Sequence, residues 1–181
     1  MNYEDTLGKI MYDEETIAKR VAELGAQISA DYERDYPGEE LLCITILKGG
    51  AVFASDLLRR LTVDARIDFM AVSSYGSSTK SSGVVRINKD LDTDIEGKNV
   101  LIVEDIIDSG LTLHYLIETL WYRGPKSIKI CTFLNKPARR RVDLPVDYIG
   151  FDIENRFIVG YGLDYDEKYR NLPYITCLDE E

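Results

Sequence analysis

Short aliphatic runs take turns with helix-periodic runs through the middle of this chain, and that alternation admits few architectures. LLCITIL (Leu41–Leu47) leads through Gly49-Gly50 into AVFASDLLRRL (Ala51–Leu61), and VLIV (Val100–Val103) leads through a polar turn into Leu111–Tyr122. The first kind of run is short and apolar at nearly every residue, as in a strand buried on both faces. The second repeats its apolar residues every three to four positions, as a helix does. Ile67–Ser73 and Ser127–Leu134 add two more strand-like runs, the latter after the breaker Arg123-Gly124-Pro125. Strands alternating with helices predict an α/β fold with a central, mainly parallel sheet flanked by helices. Upstream, Asp13-Glu14-Glu15 opens an amphipathic helix that carries Ile17, Val21, Leu24 and Ile28 toward Tyr32, and Pro37-Gly38 ends that unit. Downstream, Val146–Phe151, Phe157–Tyr161 and Tyr174–Leu178 predict short strands.

Composition narrows the class. The 181 residues suit a single domain, 1–181. A net charge of −10 opposes a phosphate backbone, so nucleic acid is not the expected partner. No run approaches the roughly 20 apolar residues of a membrane helix, and Met1–Asp5 has no secretory character. A cytoplasmic protein without a membrane partner is expected. Cys43, Cys131 and Cys177 each sit inside an apolar run, far apart, and are read as reduced core residues rather than a disulfide or zinc framework.

The chemistry concentrates between Val100 and Thr112. VLIV is followed by Glu104, Asp105 and Asp108, then by Ser109-Gly110-Leu111-Thr112, where a helix begins. In parallel sheets ligands bind beyond the carboxyl ends of strands. Backbone N–H groups at a glycine-containing helix start form an anion site, which the Ser109 and Thr112 hydroxyls can extend. Glu104 and Asp105 suit sugar hydroxyls instead. The segment thus reads as phosphate at one end and sugar at the other.

VLIVEDIIDSGLTL resembles the phosphoribosyl pyrophosphate signature of type I phosphoribosyltransferases, in the form found in the hypoxanthine-guanine branch. Leu47-Lys48-Gly49-Gly50 resembles that family's pyrophosphate loop, and Ser74-Tyr75 within the tract Ser73–Gly83 its mobile catalytic loop. Lys136-Pro137 resembles the base-reading lysine, and Phe157–Tyr165 with Arg170 the purine pocket. These matches span residues 47–170 in the family's order.

The resemblance implies purine salvage: transfer of a phosphoribosyl group from phosphoribosyl pyrophosphate to a 6-oxopurine such as hypoxanthine or guanine. It implies that Lys48, Gly49, Ser74, Tyr75, Glu104, Asp105, Asp108, Ser109, Gly110, Leu111, Thr112 and Arg170 bind phosphoribosyl pyrophosphate. Lys136, Phe157, Ile158 and Asp164 would bind the purine, Asp108 would be the general base, and Glu104, Asp105 and Asp164 would serve Mg²⁺. It further implies a cis peptide between Leu47 and Lys48, a lid at 73–83, and a small hood from the two chain ends, with 146–181 on the purine side. A homodimer or homotetramer is the default for such a chain. His114 is read as a structural or surface residue, and Arg139-Arg140-Arg141 as a solvated turn or a subunit contact. A nucleic-acid-binding regulator on the same fold would need a basic face. A phosphoacceptor signalling domain would leave LKGG and the purine-pocket residues unexplained.

Overall fold

The structure is a computed structural model that describes residues 7–74 and 85–178. The elements run β1 (Leu7–Tyr12), α1 (Glu14–Asp35), β2 (Leu41–Leu47), α2 (Gly50–Leu58), β3 (Ala65–Ser74) and β4 (Val85–Lys89). They continue with β5 (Asn99–Ile107), α3 (Leu111–Trp121), β6 (Ser127–Asn135), a 3-10 turn at Pro137–Arg139, β7 (Tyr148–Asp152), β8 (Ile158–Val159) and β9 (Ile175–Leu178).

Six strands form one sheet in the order β4-β3-β2-β5-β6-β7. Only the β3–β4 pair is antiparallel; β2, β3, β5, β6 and β7 run parallel. The expected α/β architecture is present. Alternate residues of the central strands feed two separate cores, which is why those strands are apolar throughout. Leu41, Cys43, Leu101 and Val103 pack with α1 and α2 through Ile17, Leu24, Ile28, Phe53 and Leu57. Leu42, Ile44, Val100 and Ile102 pack on the other face with Leu113, Leu116 and Leu120 of α3. Each such side chain contributes roughly 1.5–3 kcal/mol on burial. Cys43, Cys131 and Cys177 are free and buried, and burial pushes the Cys43 thiol up to about 12.

Asp13 caps α1, its carboxylate accepting the Thr16 N–H at 2.8 Å. β5 is longer than VLIV and carries Glu104 and Asp105 within the strand itself. α2 ends at Leu58 instead of Leu61, and Phe157–Tyr161 contributes only Ile158–Val159 as strand.

A second sheet, β1-β9-β8, is antiparallel and joins the two chain ends. β7 lies at the edge of the large sheet, so within 146–181 only β8 and β9 belong to the small one. The turn Gly160–Gly162 brings the C-terminal segment down onto the loop after β2. Gly162 has φ +97°, and a Cβ there would overlap the Gly49 carbonyl. Gly162→Ala is therefore expected to cost roughly 2 kcal/mol or more, from backbone strain plus the clash. Urea unfolding measures it, and a change within 0.5 kcal/mol would show that the two loops can separate freely.

Candidate active site

Glu104 and Asp105 are neighbours on β5, so they face opposite sides. Glu104 lines a cavity of about 190 Å³ together with Asp108, Ser109, Gly110 and Thr112. Asp105 lies against Gly49, where a side chain would collide with its carboxylate. Burial, then the adjacent Asp105 charge, holds the Glu104 carboxyl well above its ordinary range. Burial also pushes Asp105 up to about 6, opposed by its hydrogen bond from the Ile106 N–H at 2.8 Å and by the Arg170 charge.

These raised carboxyls make the site a cost to the fold. Between the unfolded value of about 3.9 and the folded value of about 6, the folded chain binds more protons than the unfolded one at Asp105. Stability consequently falls as pH rises through that window. Asp105→Asn keeps the acceptor for Ile106 but removes the charge. In metal-free buffer it is expected to stabilise the protein at pH 7.5 by on the order of 2 kcal/mol, the gain fading toward pH 4. Combined with Glu104→Gln, it should abolish most substrate binding while the fold persists. Thermal melts across pH test this; a destabilised Asp105→Asn at pH 7.5 would contradict it.

The turn after β5 leaves the start of α3 open. Gly110 caps α3 in the left-handed conformation, φ +79°, and no side-chain hydrogen bond closes the helix start. The first N–H groups of α3 have no partners four residues back, and Ser109 Oγ accepts only a long contact, 3.5 Å, from the Leu111 N–H. Thr112 lines the same cavity. Asp108, at its rim, accepts from Arg139 Nε at 2.8 Å.

Lys136 follows β6, the strand beside β5, and its backbone N–H donates to the Ile107 carbonyl at 3.0 Å. Its side chain is 8% exposed. Nζ donates to the Arg156 carbonyl at 2.7 Å; burial lowers its pKa, while the Asp108 charge raises it. Phe157 is 49% exposed and meets Tyr165 edge-on at 5.3 Å. The Phe157 ring is thus half open to solvent, one residue after the Arg156 carbonyl that holds Lys136. Ile158 is buried in β8.

On the other side of β5, the Leu47–Lys48 peptide is cis. Lys48 Nζ pairs with Glu167 at 2.8 Å. Arg170 pairs with Asp164 at 2.8 Å and Glu167 at 3.3 Å, and donates Nη1 to the Gly162 carbonyl at 2.7 Å. Ser74 ends β3; Tyr75 and most of the 73–83 loop lie outside the described residues.

Glu104, Asp105 and Asp164, the carboxylates expected to serve Mg²⁺, are not gathered by the fold alone: among the described residues no group of three or more His, Cys, Asp or Glu side chains could hold an ion. Strand alternation separates the first two, and Arg170 occupies Asp164. The carboxylates still suit Mg²⁺ in its usual mode, in which one or two carboxylates supplement substrate phosphates and water.

The arginine run, expected as a solvated turn or a subunit contact, packs against the turn after β5. Arg139 holds Asp108, Arg140 donates to Asn135 Oδ1, and the Arg141 N–H donates to the Ser109 carbonyl at 3.0 Å. Glu167 was also not foreseen. Three consecutive arginines, beginning three residues after Lys136 in an acidic chain, are the available signal for the first; none marks Glu167. His114 sits on the surface of α3, 3.6 Å from Glu118.

Comparison with known proteins agrees with this geometry. A family profile described as the phosphoribosyl transferase domain matches residues 9–166. The chain is 53% identical to the hypoxanthine-guanine phosphoribosyltransferase of Mycobacterium tuberculosis, covering 98% of this chain and 89% of that one. It is also 53% identical to the Bacillus subtilis protein of the same name, covering 94% and 92%. A solved hypoxanthine phosphoribosyltransferase from Staphylococcus aureus superposes with a TM-score of 0.93 at 48% identity, covering 99% of this chain and 96% of that chain. The loop after β2, the carboxylate strand and the glycine-capped phosphate turn thus occur in a chain that belongs to the phosphoribosyltransferase family, with its type I fold.

Proposed function

We propose that this protein transfers the 5-phosphoribosyl group of phosphoribosyl pyrophosphate to hypoxanthine or guanine, giving the 5′-nucleotide and pyrophosphate in purine salvage. The observation that carries this is the joining of an uncapped phosphate turn to a buried, donor-only lysine, through the Lys136 N–H to the Ile107 carbonyl at 3.0 Å. Phosphate and 6-oxopurine are thereby read from adjacent strand ends.

Ser109, Gly110, Leu111 and Thr112 hold the 5′-phosphate. Glu104 and Asp105 accept from the ribose hydroxyls and stabilise the cationic sugar that develops. The bond from the ribose C1 to pyrophosphate breaks as the base nitrogen bonds to that carbon. Asp108 takes the proton at N7 of the base, so binding of the base must share or displace Arg139. Lys136 donates to O6, Phe157 stacks on the ring, and backbone near Ile158 and Asp164 meets the 2-amino group of guanine. Lys48, Gly49, Ser74, Tyr75 and Arg170 face the pyrophosphate. When bound, Mg²⁺ would supply charge neutralisation of that leaving group, and Glu104, Asp105 and Asp164 are the carboxylates that would support it. Residues 73–83 close as a lid, and 1–181 acts as one domain with 146–181 toward the purine. The protein works in the cytoplasm as a homodimer or homotetramer.

The test is pyrophosphate release from phosphoribosyl pyrophosphate. Release is expected only with hypoxanthine or guanine and Mg²⁺ present, and a chelator should stop it. Release that ignores the base would make the protein a hydrolase.

A further inference from the structure

Arg140 lies behind the phosphate turn. Its Nη2 donates to Asn135 Oδ1, and Asn135 Nδ2 donates to Asp152 Oδ1 at 2.7 Å, so the guanidinium is tied to the ends of β6 and β7. Its other amino group, Nη1, is buried without a hydrogen-bond partner. That nitrogen rests against the helix cap: a Cβ added to Gly110 would come within 3.0 Å of it. The next residue donates its backbone N–H to the Ser109 carbonyl, so 136–141 as a whole backs 108–110.

An unpaired guanidinium N–H away from water is costly and calls for a reason. The turn in front supplies one. Its own donors are neutral, the chain carries a net charge of −10, and Glu104 and Asp108 line the same cavity. A phosphate dianion entering there meets the Asp108 carboxylate and the buried carboxyl of Glu104, and no cation among the cavity's own lining residues. Arg139 compensates Asp108, which leaves Arg140 as the fixed cation beneath the phosphate turn.

We propose that Arg140 is a positioning residue for the phosphate end of the substrate: its tethered charge under Gly110 holds the turn and raises the local potential where the phosphate binds. This rests on the reading that residues 109–112 hold the 5′-phosphate.

The test compares inosine 5′-monophosphate with inosine, which lacks only the phosphate, on the full chain. Arg140→Gln is expected to weaken the nucleotide about tenfold, equivalent to ~1.4 kcal/mol, and inosine less than about twofold. KM for phosphoribosyl pyrophosphate should rise in parallel while KM for hypoxanthine holds. Equal weakening of nucleotide and nucleoside would show a general structural role, and no change in either would show no role; both overturn the proposal. Arg140→Lys keeps the charge on a more flexible stem and gives the same comparison if the glutamine protein does not fold. It is expected to weaken the nucleotide about two- to fivefold with inosine unchanged, and equal effects on both again overturn it. Wild-type protein that fails to bind inosine 5′-monophosphate at all would sink the phosphate reading itself, a result distinct from either variant's.

Discussion

Asp108→Asn is expected to lower kcat by about 10²–10⁴, the usual contribution of a positioned general base. The side chain sits at the rim of the cavity that Glu104 and Thr112 line, within reach of a base held by Lys136. Asparagine keeps the size and can still accept from Arg139, so the turn should not move. What it loses is the ability to take a proton. Affinity for phosphoribosyl pyrophosphate should change much less than kcat, because the proposed phosphate contacts are backbone and hydroxyl groups of residues 109–112, not the Asp108 carboxylate. Steady-state kinetics with purified variant and wild type decide it. A kcat within threefold of wild type would remove Asp108 from proton transfer and leave it as the partner of Arg139.

Lys136→Gln is expected to erode rejection of adenine. The ammonium has three hydrogens and no lone pair, and one hydrogen is already committed to the Arg156 carbonyl. Facing a 6-oxo group, it gains a charge-assisted bond. Facing the 6-amino group of adenine, it meets another donor, and the hydrogens not taken by Arg156 stay unsatisfied at a residue 8% exposed. Sites built this way discriminate by up to about 10⁴-fold. Glutamine offers an acceptor as well as a donor, so the preference should fall by at least tenfold, mostly through loss of hypoxanthine turnover. The guanine-to-hypoxanthine ratio should change little, since the proposed partners of the 2-amino group are backbone near Ile158 and Asp164. A variant with an unchanged hypoxanthine-to-adenine ratio would show that another group reads position 6.

Which parts of this site were legible in the sequence follows from the range of the interactions. β2 and β5 were readable because burial on both faces leaves apolar runs, and the phosphate turn because strand, glycine and helix start are contiguous. β1 was missed: it is an outer strand of the small sheet with Ile10 exposed, so it carries no continuous apolar run. Arg139 meets Asp108 across 31 positions and Lys48 meets Glu167 across 119; no local pattern marks such pairs. The carboxylates are contiguous in sequence and so were easy to single out, but strand alternation, which sends Glu104 and Asp105 to opposite sides of β5, shows only once the strand is seen to run on to Ile107.

The measurement that bears most directly on the assigned chemistry is kcat/KM of the wild-type protein for hypoxanthine and for adenine, with phosphoribosyl pyrophosphate and Mg²⁺ saturating. Hypoxanthine is expected to be converted to inosine 5′-monophosphate with one pyrophosphate released per nucleotide, and adenine to react about 10⁴-fold less efficiently. Adenine within tenfold of hypoxanthine would contradict both the role of Lys136 and the 6-oxopurine assignment.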